Sequence, residues 1–357
     1  MARATTAAIH LDALRHNLSL IRQAAPHSKV MAVVKADGYG HGLERVALAL
    51  SNADAFGVAS LSDAQRLRAA GLSQKIVLLS GFDALSDLQL LRELSVDTVV
   101  HHQSQVDILL QDLGLPINVW LKMDSGMHRL GFDPEQFNQV FQQLKAMHNV
   151  ADEIRLMSHF ASSDELLNHQ TEQQITCFDA QVKTLSGESS LSNSAAILAW
   201  PSAHREWVRA GGALYGLSVA TGKTGADFGL QPAMTLSTRL ISTKWIEKGE
   251  RVGYSGTYVC AERMLVGVAS IGYGDGYPRN IQTGTPVLIN GQRVPIIGRV
   301  SMDLMAIDLR ALPNAKVADT VILWGQGLPI EEIADAAKTI SYELTCSITR
   351  RVLFIEV

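Results

Sequence analysis

The chain has 357 residues, of which 47% are hydrophobic and 18% charged, and its formal net charge is -4. Mild acidity excludes the basic footprint that nucleic acid or an anionic membrane surface requires, and no apolar run reaches the length of a membrane span. Three widely spaced cysteines, Cys177, Cys260 and Cys346, indicate neither a disulfide framework nor a zinc site, so free thiols in apolar surroundings are expected.

The opening stretch, MARATTAAIHLDALRHNL, is interrupted early by Asp12 and Arg15 and has no apolar leader core, which places the chain in the cytoplasm as an expectation. Eight short apolar runs follow in order: residues 29–36, 55–61, 75–81, 96–102, 117–124, 153–160, 190–196 and 206–216. They are nearly continuous in Val, Ile and Leu, the pattern of parallel strands covered on both faces. Helix-like stretches separate them, such as DAQRLRAAGL after Ser62. Another begins at Asp133, Pro134 and Glu135, where a cap precedes proline at the first helical position. Eight strands alternating with helices over this length predict a (β/α)8 barrel of the TIM type, residues 1–229. A doubly wound open sheet is the main rival, because periodicity alone does not show closure.

From about Leu230 the pattern changes. MTLSTRLISTKWI, MLVGVASIGYG, TPVLINGQRVPIIG and MDLMAIDL alternate apolar and polar residues, as half-exposed antiparallel strands do. Asn290-Gly291 predicts a two-residue hairpin turn. A short helix, PIEEIADAAK, and a last strand, RRVLFIEV, complete a mainly β domain over residues 230–357.

Chemistry in such a barrel gathers where the strands end. The first candidate strand ends at Lys35 and runs into a turn with Gly38, Tyr39, Gly40, His41 and Gly42. The fifth ends at Lys122 and Asp124, followed by His128 and Arg129; the sixth at Ser158-His159; the seventh at Asn193-Ser194; the eighth at Arg209, Gly211 and Gly212. Singly, each has a plain structural explanation: a solvated lysine, a core histidine, a structural ion pair, turn glycines. Gathered on one rim they describe a site. A lysine amine in a low-dielectric pocket among cations has a lowered pKa and can form a Schiff base. Tyrosine and serine hydroxyls with glycine amides can cradle a phosphate dianion, and Ser194 stands where a helix begins. Lysine, cradle and an arginine able to face an aromatic nitrogen describe a pyridoxal phosphate site.

These residues, together with the blocks LKMDSGMHRLGF, SHFASSDE, SNSAAILAWP, VRAGGALYG, VGYSGTY, GYGDGYPR and GRVSMDL, resemble the alanine racemase family over nearly the whole chain. The lysine segment AVVKADGYGHG is similar to the family's AVVKANAYGHG, with Asp37 and Gly38 differing. The resemblance implies a fold-type-III isomerase that interconverts L- and D-alanine on pyridoxal 5'-phosphate by a two-base mechanism. It implies that Lys35 holds the cofactor as a Schiff base and is the base on the D-alanine face. Tyr254 would be the base on the L-alanine face, reaching the barrel of a partner subunit in a homodimer with shared active sites. Tyr39, Ser194, Gly211 and Gly212 would hold the phosphate, His159 the ring face and Arg209 the ring nitrogen, with Asn193 also among the cofactor-binding residues. Arg129 and the Met302 backbone N–H would take the substrate carboxylate, with Lys122 carried as a carbamate. Asp164, Tyr273, Tyr277 and Arg279 would form a narrow entrance.

The chain departs from the family at three places: Ala210 stands for a common proline, Gly212 for a branched apolar residue, and Arg350 for a tyrosine that helps gate the site. Two other readings stay open from the residues alone: a racemase of broader amino-acid range, and a non-catalytic pyridoxal phosphate carrier on the same barrel. The D-alanine would serve peptidoglycan or arise in alanine catabolism.

Overall fold

The computed structural model describes residues 5–357. Residues 1–4, which open the stretch read above for a leader, lie outside the described residues. The first strand, β1 (Thr6–Ile9), belongs to no barrel: it pairs antiparallel with β10 (Met234–Ile246) and parallel with the last strand of the chain. A helix over Leu11–Ala24 then leads into the barrel.

The eight predicted apolar runs are the eight barrel strands. They are β2 (Lys29–Val33), β3 (Ala55–Val58), β4 (Lys75–Leu78), β5 (Val96–Val100), β6 (Val119–Lys122), β7 (Arg155–Met157), β8 (Ser189–Ser190) and β9 (Trp207–Ala210). Each pairs in parallel with the next, and β2 pairs with β9, for example Met31 with Arg209, so the sheet closes. Closure excludes the doubly wound rival. The run read as a strand over 190–196 is strand only at its start; Ser194 already begins a helix, Ser194–Ala199.

Period-two alternation sorts the strand residues between two apolar layers. Met31, Ala55, Val77, Val99, Trp120, Met157 and Trp207 fill the barrel interior. Their neighbours, among them Val30, Ala32, Phe56, Ile76 and Leu121, pack outward against the helices. Ser60 caps the helix Leu61–Ala69, accepting from the Asp63 N–H at 3.1 Å. Pro134 occupies the first turn of Pro134–Lys145 as expected, but Asp133 at the cap position makes no side-chain cap bond.

The second sheet contains β10, β13 (Met264–Ala269), β14 (Pro286–Ile289), β15 (Gln292–Ile297), β16 (Met305–Asp308), β17 (Thr320–Trp324) and β18 (Leu353–Glu356) with β1. A two-residue ladder, β11 (Arg251–Val252) with β12 (Tyr258–Val259), stands apart. Asn290 and Gly291 sit at φ 51° and 76° between β14 and β15, the paired positive φ that a tight hairpin turn needs. Strand β10 pairs with β17 along its first part and with β13 along its last, and its register shifts between Leu240 and Ser242. No helix among the described residues is long and apolar enough to cross a membrane.

Candidate active site

All eight barrel strands point the same way, so their C-terminal ends share one rim. The chain leaves β2 through Val34 and Lys35 and then makes one turn of left-handed helix. Ala36, Asp37, Gly38 and Tyr39 have φ of 54°, 52°, 62° and 52°. This handedness costs L-residues roughly 1–2 kcal/mol each, so the surroundings must hold it. Inside, the Nδ1–H of buried His41 donates to the carbonyls of Gly38 and Tyr39 at 3.1 and 2.9 Å. Burial pushes His41 down to about 4, so the ring stays neutral. Outside, the Asp37 carboxylate accepts from the Leu43 N–H at 3.1 Å and from Arg66 at 2.7 Å. Gly40 lets another element approach: a Cβ there would lie 2.1 Å from the Thr345 carbonyl oxygen.

The Lys35 amine lies among cations. Burial, and next to it the Arg129 guanidinium, lower its pKa, while Cys346 acts the other way. Lys122, at the end of β6 and 8% exposed, is pushed down to about 7 by burial and by Arg209, Arg129 and Lys35. Lys122, Arg129 and His159 line one cleft with Asp124 and Met127. Asp124 is occupied by its own loop: one carboxylate oxygen accepts the N–H groups of Gly126, Met127 and His128, each at 3.0 Å. This nest fixes the loop that carries Arg129. Burial acts to raise the Asp124 carboxyl, but those N–H donors outweigh it and hold it below its ordinary value.

Arg209, within β9, is 4% exposed. It donates to the Ser190 carbonyl and hydroxyl at 2.8 and 2.7 Å and to the carbonyls of Ser158 and Leu191 at 2.6 and 3.1 Å. Its remaining bond, 3.1 Å, runs to His159 Nδ1. A guanidinium only donates, so Nδ1 is the acceptor and the ring proton sits on Nε2. Burial, then Arg209, Lys122, Arg129 and Lys35, holds His159 well below its ordinary pKa. Burial brings Arg209 itself down to about 10.

The opposite wall is a cradle. Ser194 Oγ accepts from the Gly211 and Ala213 N–H groups at 2.9 and 3.2 Å. A Cβ at Gly211 would stand 2.7 Å from the Tyr39 hydroxyl, and one at Gly212 would stand 2.1 Å from the Tyr342 hydroxyl. Tyr39 stacks on Tyr215 at 4.7 Å and meets Tyr342 at 5.6 Å, and the Tyr215 hydroxyl is tied to the Val33 carbonyl at 3.0 Å. Burial first, then the neighbouring Tyr342 and Cys346, raises the Tyr39 phenol, so it acts as a neutral donor. The Asn193 side-chain oxygen is engaged in the fold: it accepts from Ser163 at 2.8 Å and caps Ala196 at 3.1 Å.

The structure thus brings Lys35, Tyr39, Lys122, Arg129, His159, Asn193, Ser194, Arg209, Gly211 and Gly212 to one rim. Asp164, exposed, adjoins it through Tyr342, whose phenol is pushed up to about 12 by burial and by Asp164 and Glu331. Tyr273 and Met302 lie on the second sheet's loops, 39% and 51% exposed, and Tyr254 on the turn joining β11 to β12, 69% exposed; Arg279 is exposed as well. Tyr277 corrects its expected place at an entrance. It is 1% exposed and stacked on Trp324 at 5.9 Å, because its ring fills the second domain's core. Cys346 is a second correction: expected in apolar packing, it is exposed at the rim and coupled to Lys35. Cys260 is buried as expected, and Cys177 is half-buried.

Three further residues at the rim were not read from the sequence as site residues. Tyr342 and Cys346 come from a short helix, Ser341–Cys346, too brief to show an amphipathic stripe. Buried Gln174 donates to the His159 carbonyl at 3.0 Å and accepts from the Ala161 N–H at 2.9 Å. It shares the buried face of its helix with Thr171 and Phe178, so no apolar stripe in the sequence marked it.

The donor set fits pyridoxal phosphate. A lysine of lowered pKa, hydroxyls and glycine amides at one wall, a neutral imidazole and a buried guanidinium match an aldehyde, a phosphate and a pyridine ring. Comparison with known proteins agrees. Residues 9–219 match the model for the alanine racemase N-terminal domain and residues 233–355 that for the C-terminal domain. The alanine racemases of Shewanella oneidensis and Shewanella piezotolerans are 51% and 50% identical to the chain, over 97% of each sequence. The biosynthetic alanine racemase of Pseudomonas aeruginosa superposes with a TM-score of 0.97 at 43% identity, covering 100% of both chains. The enzyme of Bartonella henselae, solved with covalently bound pyridoxal phosphate, gives 0.91 at 25% identity over 99% of each.

Proposed function

The chain belongs to the alanine racemase family, interconverting L- and D-alanine with pyridoxal phosphate, and from that premise we propose how its own residues divide the work. When bound, the cofactor supplies an aldehyde that condenses with amines and a ring that draws electron density from the α-carbon. Lys35 holds that aldehyde at rest and moves the α-proton on the D-alanine face. Burial first, and then the Arg129 cation, favours the free amine that either task needs. Tyr39, Ser194, Gly211 and Gly212 hold the phosphate. His159 covers the ring, with Asn193 maintaining the helix start beside it. Arg209 would face the ring nitrogen; a permanently protonated donor there, unlike a carboxylate, would not keep that nitrogen protonated, which would favour return of the proton to carbon.

Arg129 takes the substrate carboxylate in a charged, forked contact. Lys122, held near neutrality by its surroundings, reacts with carbon dioxide to a carbamate that orients Arg129. Tyr254 moves the proton on the L-alanine face. It is 69% exposed on its own chain, which supports a homodimer in which Tyr254 and the Met302 N–H complete the partner's barrel. Asp164, Tyr273, Arg279 and Tyr342 border the way in. The enzyme works in the cytoplasm, and its reaction serves peptidoglycan supply or alanine catabolism.

The observation that carries this reading is Lys35 beside a phosphate-shaped wall, within a group of cations whose nearby carboxylate, Asp124, is already engaged. The test is directional hydrogen exchange in deuterium oxide. Tyr254→Phe should stop α-hydrogen exchange that starts from L-alanine while exchange from D-alanine persists. Equal exchange from both enantiomers would overturn the division of roles.

A further inference from the structure

The loops of the second domain placed above at the partner's site lie outside its strands. The turn Gly272–Tyr277 carries Tyr273, and residues 301–304 carry Met302. Backbone bonds join them: the Tyr273 N–H donates to the Ser301 carbonyl at 3.0 Å, and the Gly274 N–H to the Met302 carbonyl at 2.9 Å. A third segment ties both. The Thr349 N–H donates to the Asp275 carbonyl at 3.2 Å, and the Thr349 hydroxyl to the Gly274 carbonyl at 3.0 Å.

Arg351 follows two residues later and spans the two loops. Its Nε lies 3.2 Å from the carboxylate of Asp275, which is fully buried, and its Nη2 donates to the carboxylate of Asp303. Asp275 also accepts from the Gly272 N–H at 3.0 Å. The close fit depends on glycine: a Cβ at Gly274 would stand 2.2 Å from an Arg351 nitrogen. A planar fork serves two carboxylates at once, where a lysine acts as a point charge. Of the two adjacent arginines, Arg350 stands at the family's gate position, whereas Arg351 turns into this lattice.

We propose that Arg351 is a positioning residue for the active site of the partner subunit, setting Tyr273 and Met302 through Asp275 and Asp303 while taking no part in the site of its own barrel. This rests on the shared-site reading above. An error near 1 Å in groups that position substrate costs on the order of 100-fold. The Arg351→Met homodimer should therefore lose on the order of 100-fold in kcat/KM, with KM for alanine raised and the cofactor absorption band unchanged. Arg351→Lys should recover only part of the loss.

Mixed dimers supply the decisive test. Arg351→Met and Lys35→Ala subunits with different tags are co-expressed and the hybrid isolated through both tags. In it one barrel keeps Lys35 and faces a second domain with intact Arg351, so about half of the wild-type activity per dimer should return. A control hybrid of Lys35→Ala with Tyr254→Phe is made alongside. An inactive Arg351 hybrid beside an active control overturns the assignment, as does an Arg351→Met chain that cannot enter a dimer. If the control is also inactive, the shared-site reading itself falls and this proposal with it.

Discussion

The two ends of the barrel carry similar numbers of charged side chains and treat them in opposite ways. At the N-terminal end, where the strands begin, Lys75 and Arg155 meet Asp97, and Lys29 and Arg155 meet Glu188, with Glu153 beside Arg155. The indole N–H groups of Trp120 and Trp207 donate to the same two carboxylates, Asp97 and Glu188. At the C-terminal end Lys35, Lys122, Arg129 and Arg209 stand together, and Asp124 is occupied by three backbone N–H groups. One end is neutralised by design and closes the barrel. The other leaves positive charge uncompensated, as the proposed binding of a phosphate and a substrate carboxylate requires. Compensation of charge, rather than its amount, separates structure from chemistry here.

That contrast can be broken first at the structural end. Glu188 bonds Lys29, Arg155 and Trp207, which hold its carboxyl down to about 2 although burial acts to raise it. Glu188→Gln leaves those cations partly unmatched and should lower stability by roughly 3 kcal/mol, seen in urea unfolding, with kcat unchanged. The folded-state pKa lies below the unfolded value, so the unfolded chain binds the proton first. The stability supplied by Glu188 is whole above the ordinary carboxylate range and fades as pH falls toward about 2. The wild type should lose more stability over that acid range than the variant. A fall in kcat without loss of stability would mean that the two ends are not separate.

A smaller effect sharpens the other end. Inorganic phosphate at about ten times its dissociation constant should stabilise the apoenzyme by about 1.4 kcal/mol, measured as a shift in thermal midpoint against chloride at equal ionic strength. Ser194→Ala should diminish the shift and Glu188→Gln should leave it intact. If phosphate and chloride act alike in all three proteins, the cationic rim is not an anion site.

Much of this was legible in the sequence because the barrel strands are continuous apolar runs that end abruptly in polar residues. Lys35, Lys122, His159 and Arg209 each follow or interrupt such a run, so their convergence needed only parallel strands. Closure was not legible, since the pairing of Met31 with Arg209 joins residues far apart in the chain. Strand β1 was missed for the same reason: its partners lie in β10 and at the C-terminus. Tyr277 and Tyr273 share one motif, and only packing against Trp324 tells the buried ring from the half-exposed one. The left-handed turn after Lys35 was hidden because Ala36 and Tyr39 carry no preference for positive φ; it is His41 and Arg66 that hold it.

The claim beneath all of this is that the uncompensated end of the barrel holds the cofactor through a single amine. Borohydride reduction of the holoenzyme, followed by protease digestion and mass mapping of pyridoxyl peptides, reads that amine directly. The account predicts one labelled peptide, containing Lys35, whose label is lost when the holoenzyme is incubated with excess alanine before reduction. A pyridoxyl group on Lys29 or Lys75 at the neutralised end, or on Lys122 in place of Lys35, would contradict it.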